Sequence, residues 1–110
     1  MRKTWYGREW LNQDVLKKFS NNMGLLLEYQ LAFENYCLIN GVEDDSIEQI
    51  MQNLANIRNS SKNLRNEKEE IEIYEKTNEL IKHCSLVIDN IGRDKFLFYE
   101  DGTIEYKGED

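Results

Sequence analysis

Ile57-Arg58-Asn59-Ser60-Ser61-Lys62-Asn63-Leu64-Arg65-Asn66 decides the fold. It lies between two apolar helical patterns. It is either the middle of one rod or the turn between two antiparallel helices. Before it, Ile47, Ile50, Leu54 and Ile57 recur at steps of three and four, which places them on one face of a helix. The ladder then continues through Ser61, Leu64, Lys68 and Ile71, where polar residues interrupt it. Asn59, Ser60, Ser61 and Asn63 carry short polar side chains that compete for backbone groups and weaken a helix. Asn66, with Glu69 after it, is a start signal for a new helix. The next pattern is Ile73, Tyr74, Thr77, Leu80, Ile81, Cys84, Val87, Ile88 and Ile91, closed by Gly92. One helix over residues 46–91 would be a rod of about 68 Å. A 110-residue monomer cannot bury such a rod, which would imply a dimer. The stretch is therefore read as a fold-back around residues 59–66. The expected fold is mainly α, a three-helix antiparallel bundle. A helical hairpin with one long helix is the alternative.

Upstream, the first helix is expected to start at Asn12, whose side chain suits the free amides of a first turn. Asp14 follows where the helix dipole favours an anion. Leu11 and Leu16 fit a hydrophobic staple across that cap. Leu16, Phe19, Met23, Leu26, Gln30, Phe33 and Cys37 form the apolar ladder, and Val15, Leu27, Leu31 and Tyr36 broaden it. Gly24 weakens the middle by about 1 kcal/mol relative to Ala and marks a place for a kink. Asn40-Gly41 is the stop signal, because both residues tolerate the left-handed conformation. After the loop, Asp45 with Glu48 or Ser46 with Gln49 would cap the second helix.

Downstream, Lys95-Phe96-Leu97-Phe98-Tyr99-Glu100 and Thr103-Ile104-Glu105-Tyr106-Lys107 flank Asp101-Gly102. Asp-Gly suits a two-residue hairpin turn. A hairpin over 95–107 in that register pairs Leu97 with Tyr106 and Tyr99 with Ile104. Leu97, Tyr99, Ile104 and Tyr106 then face the core, and Phe96 and Phe98 face outward. A lone hairpin is marginal in water. Lys3-Thr4-Trp5-Tyr6 is a candidate third strand, which would make the fold α+β. The whole chain, 1–110, reads as a single helical domain with this C-terminal hairpin.

The gross numbers agree with such a fold and exclude several functions. Apolar residues are 40 % and charged residues 32 %, too apolar for a disordered chain. No run of 18 apolar residues exists, so no membrane span is expected. The N-terminus lacks the apolar core of a secretory signal. A cytoplasmic location follows, with Cys37 and Cys84 reduced and packed as small apolar residues. The net charge is −7 and unevenly spread: residues 21–53 carry six acids and no base. That sign argues against generic binding to nucleic acid. The absence of Pro and the abundance of Asn and Lys resemble proteins of AT-rich genomes, such as low-GC bacteria and their phages.

Catalytic chemistry finds little footing. His83 is the only histidine. Its neighbour Cys84 points about 100° away on a helix, so the two do not form a catalytic pair. Two Cys and one His without zinc spacing make no metal site, and Asp44, Asp45 and Glu48 lack a calcium-loop pattern. No phosphate loop, nucleophile elbow or dinucleotide fingerprint is present. Glu69, Glu72, Glu75 and Glu79 line one helical face. They resemble the Glu-x-x-Glu motif that holds magnesium in all-α nucleotide pyrophosphohydrolases. That resemblance implies a metal-dependent hydrolase, but the family's second motif, Glu-x-x-Asp, has no counterpart downstream. No catalytic residue, metal site or cofactor is assigned.

What remains is surface chemistry. Trp5, Tyr6 and Trp10 interleave with Arg2, Lys3 and Arg8. Such a cluster can plug the end of a bundle, anchor a protein interface or stack on single-stranded nucleic acid. With Phe96 and Phe98 added, Trp5, Tyr6 and Trp10 are the expected partner-contact residues. The expected function is a small, non-enzymatic protein-binding module, a phage-like regulator or inhibitor whose partner is another protein. Two alternatives stand beside it. One is a self-associating coiled coil, a homodimer with residues 46–91 as its seam. The other is an acidic mimic of DNA formed by residues 43–48, 67–75 and 100–110.

Overall fold

The computed structural model describes residues 4, 5 and 8–108, with side chains from Glu9 onward. Among them lie β1 (Thr4–Trp5), β2 (Arg8–Glu9), α1 (Gln13–Asn40), α2 (Asp45–Ser61), α3 (Glu67–Ile91), a short 3-10 turn (Arg93–Lys95), β3 (Phe96–Phe98) and β4 (Ile104–Tyr106). The chain is mainly helical with a C-terminal hairpin, and the fold-back is real. α2 and α3 are separate helices, so there is no rod over 46–91. The ladder residues Ile47, Ile50, Leu54 and Ile57 are buried in the chain's own core.

The turn works because Asn66 supplies the cap. Its side chain accepts the Glu69 N–H at 2.9 Å, while the Glu69 carboxylate accepts the Arg65 N–H at 2.7 Å and pairs with the Arg65 guanidinium. Asn12 caps α1 by accepting from Asp14 N and Val15 N, both at 3.1 Å. The cap of α2 is Asp44, one residue before the expected Asp45. Asp44 sits in extended backbone and its carboxylate takes the amides of Ser46 and Ile47. Asp45 and Glu48 are thereby freed for the first turn, where the dipole favours anions. Gly41 ends α1 at φ 63°, in the left-handed region the stop signal requires.

α1 and α3 run parallel, with α2 antiparallel to both. The first turns of α1 and α3 meet where Asn12 donates to Glu67. Ten residues further along α1, Asn22 donates to Thr77 at 2.9 Å and to Asn78 at 2.8 Å. One hydrophobic cluster joins the helices and the hairpin, centred on Phe19, Leu26, Phe33, Ile50, Leu54, Cys84 and Ile88. The expected staple is absent: Leu11 is exposed and Leu16 buried. A buried carboxylate takes its place. Glu70, on α3, accepts the Leu11 N–H at 2.9 Å and the Asn12 N–H at 3.0 Å.

Gly24 does not break α1, which is continuous from Gln13 to Asn40. A methyl group there would meet nothing within 4 Å. Gly24→Ala is therefore expected to raise stability by about 0.5–1 kcal/mol, because Ala loses less backbone entropy in a helix interior. Urea unfolding would measure the gain, and a loss of stability would refute it.

The hairpin differs from expectation by one residue. Phe96 pairs with Tyr106, Leu97 with Glu105 and Phe98 with Ile104. The loop is Glu100-Asp101-Gly102, closed by Tyr99 N to Thr103 O at 2.9 Å and Gly102 N to Tyr99 O at 3.0 Å. A three-residue loop of this kind needs the left-handed conformation only at its glycine, whereas the two-residue turn needs it at Asp as well. Gly102 has φ 94°, and the Asp101 carboxylate accepts the Thr103 N–H, which holds its pKa below the ordinary value. Ile104 and Tyr106 are buried as expected, but the slip puts Phe96 in the core and leaves Leu97 and Tyr99 exposed. The hairpin packs along the second half of α1. Phe96 meets Phe33 edge-on, Tyr106 meets Tyr36 edge-on, and Glu28 accepts the Ile104 N–H. Thr4 and Trp5 pair with Glu9 and Arg8 in a separate two-stranded ladder, so they add no third strand to the hairpin.

Candidate protein-docking groove

The expected contact residues are dispersed. Trp10 is 2 % exposed and packs on Phe19 with ring centroids 5.1 Å apart, so it serves as the plug of the bundle end. Phe96 is 4 % exposed, carried inward by the register slip. Phe98 is 44 % exposed, with the Arg93 guanidinium 5.3 Å above its ring. Tyr6 and the side chain of Trp5 lie outside the described residues.

The outer face of α1 shows a different surface. Leu27, Leu31 and Leu38 are exposed, Leu38 to 80 %. In the sequence Leu27 and Leu31 read as widening the core stripe. The signal that separates them is phase. Leu27, Leu31, Glu34 and Leu38 each follow the core ladder Leu26, Gln30, Phe33 and Cys37 by one residue, a turn of about 100° round the helix. Leu38, at the end of this stripe, lines an open groove of about 610 Å³ between α1 and α2. Its apolar lining is Cys37, Leu38, Val42, Ile47, Met51 and Ala55, and Glu34, Glu43, Asp44 and Glu48 stand round it. The acids come from the segment that holds no Lys or Arg. Among the described residues none of the four is in an ion pair with a cation. Cys37 is half-buried rather than packed away. Burial pushes its thiol pKa up, and the negative charges of Asp44 and Glu48 push it further.

A second groove of about 390 Å³ lies between α2 and α3. Asn53, Asn56, Lys76, Glu79 and His83 stand over Ile57, Ile73 and Leu80. Ser60 also lines it, so a lysine, an acid, an imidazole and a serine share this groove. The Glu69–Glu79 face that resembles a magnesium motif is solvated, and Glu69 is already engaged by Arg65. Among the described residues no three His, Cys, Asp or Glu side chains converge to hold a metal ion. No helix there is long and apolar enough to cross a membrane.

Cys84 is fully buried, and burial pushes its thiol pKa up to about 12. The sequence neighbour His83 opens to the second groove instead. Cys84 is expected to stay unmodified by alkylating reagents in the folded protein at neutral pH. Its raised pKa also sets an alkaline limit. The folded form holds the proton that the unfolded form releases above about 9, so stability is lost as pH rises from there towards about 12, at up to about 1.4 kcal/mol per unit. Tyr29, whose pKa burial also raises, acts in the same direction. Urea unfolding at several alkaline pH values, with Cys84→Ala as the shallower comparison, checks the slope.

Comparison with protein-family models, curated proteins and solved structures gives no match.

Proposed function

We propose that the protein is a non-enzymatic protein-binding module, a regulator or inhibitor that acts by occupying another protein. The observation that carries this reading is the exposed stripe Leu27, Leu31 and Leu38 on α1, which leads through Leu38 into the groove between α1 and α2. Single exposed leucines are ordinary, but an aligned apolar stripe along a groove marks an interaction surface. Among the described residues these three side chains belong neither to the core cluster nor to the partly buried residues packed against it. Phe98 is the member of the expected contact set whose exposed ring supports the same kind of role.

A photo-crosslinking side chain placed at Leu31 or Leu38 tests the reading in cells. Crosslinks to a discrete protein are expected at both positions and not at Glu75, on the solvated face of α3. The adduct should disappear when Leu27→Glu is added to the same chain. Equal labelling at all three positions, or none anywhere, overturns the proposal.

A further inference from the structure

We infer that the groove between α1 and α2 receives a basic amphipathic helix from a different protein. This rests on the protein-binding reading and names the partner's chemistry. The walls decide the shape of the occupant. Both are helices, whose backbone groups are satisfied within themselves, so the groove offers no ladder to an extended strand. A helix brings its own backbone bonds and needs only side-chain complementarity. Cys37, Leu38 and Val42 form the apolar wall at the α1 end of the groove, and the exposed stripe extends it back along α1 to Leu27, about 16 Å in three turns. Met51 and Ala55 continue the apolar floor on α2. Apolar residues at steps of three and four on an incoming helix would lie between these two rows, as in other helix-in-groove complexes. The occupant would complete a four-helix arrangement, with α3 on the opposite side of the α1–α2 pair.

The rim decides the charge. Glu34, Glu43, Asp44 and Glu48 ring the groove, and no Lys or Arg occurs anywhere in residues 21–53. An acidic helix would meet four like charges, while Lys or Arg flanking the apolar row would meet complementary ones. Burial first, and then the charges of Asp44 and Glu48, push the Cys37 thiol pKa up at the same wall. A second copy of this chain is a poor occupant. Its net charge is −7, so two copies would bring like charges together across the acidic rim.

The test uses the full chain and a labelled synthetic peptide of about 18 residues, long enough for five turns. Leu repeats at steps of three and four, with Lys on both flanks. Two controls are its isomer with scrambled Leu positions and its counterpart with Glu for Lys. Fluorescence anisotropy is expected to show the amphipathic Lys peptide binding at least about tenfold tighter than either control. Leu31→Glu with Leu38→Glu should abolish the difference. Glu34→Gln with Glu48→Gln should weaken binding about tenfold at low salt and less at high salt, where screening removes the advantage. All these positions are exposed, and unfolding curves would confirm that the variants fold. Equal binding of the scrambled isomer, or indifference to the leucine substitutions, overturns the inference. So does a concentration-dependent dimer in sedimentation that Leu38→Glu dissolves, because the groove would then belong to a second copy. Specific crosslinks at Leu31 without binding of the Lys peptide would remove the basic helix and leave protein binding standing. Loss of the crosslinks would remove the wider reading instead.

Discussion

Replacing Glu70 with Ala is expected to destabilise the protein by about 3–5 kcal/mol, a large share of a small protein's total stability. The cause is the start of α1. The backbone N–H groups of Leu11 and Asn12 both point at the buried Glu70 carboxylate. Each charge-assisted bond is worth about 1.5–3 kcal/mol, and its loss leaves a shielded amide without an acceptor. The same carboxylate ties the first turn of α3 to the entry of α1, so its removal loosens both ends at once. Glu70→Gln keeps the shape and one acceptor oxygen, but turns a donor amide towards an N–H. It should cost about 2–3 kcal/mol. Glu67→Gln is the control. Glu67 meets the Asn12 side chain in solvent, where such bonds contribute at most about 1 kcal/mol. Urea unfolding gives the three values, and hydrogen exchange at Leu11 and Asn12 locates them. A loss below about 1 kcal/mol for Glu70→Ala would show that the carboxylate does not hold the helix start.

Glu70 also shows where the sequence stops being legible. The helices could be read because their signals are local: apolar periodicity, Asn12 and Asn66 as caps, Gly41 and Gly92 as stops. The fold-back followed from short polar side chains at residues 59–63, again local. Glu70 was hidden because its role depends on α1 and α3 meeting at their first turns, and its spacing within an acidic run looks like a solvated face. Asp44 displaced Asp45 as the cap because three neighbouring residues offer the same chemistry. Only the backbone of residue 44 decides among them. The docking groove was half legible. Its acids appear in the charge map of residues 21–53, and its leucines differ from the core ladder by one residue of phase. That α1 and α2 bring the two together is a tertiary fact. The aromatic residues misled for the opposite reason: Trp10 and Phe96 look like surplus in a sequence, but a small core needs large side chains at its ends.

Phe96→Ala is expected to cost about 3–5 kcal/mol, while Leu97→Ala costs under about 1 kcal/mol. These neighbours exchange roles between the two registers of the hairpin, so the pair of values measures the register directly. In the observed one, Phe96 is inside, with its ring 6.3 Å from Phe33 and 5.3 Å from Tyr106, both edge-on. Leu97 points to solvent. In the two-residue-turn register the costs would reverse, because one step of slip moves every side chain to the other face. The effect should also be regional. A two-stranded ribbon has little stability of its own, so Phe96 is the main apolar link holding β3 to α1. Without it, amide exchange at Ile104, Tyr106 and Lys107 should accelerate, while Leu54 and Leu80 in the helical core keep more of their protection. A double-mutant cycle with Phe33→Ala would isolate the ring–ring contact, expected at about 0.5–1.5 kcal/mol. Equal costs for Phe96→Ala and Leu97→Ala would mean that neither register is fixed, and the hairpin would then be a mobile flap rather than part of the core.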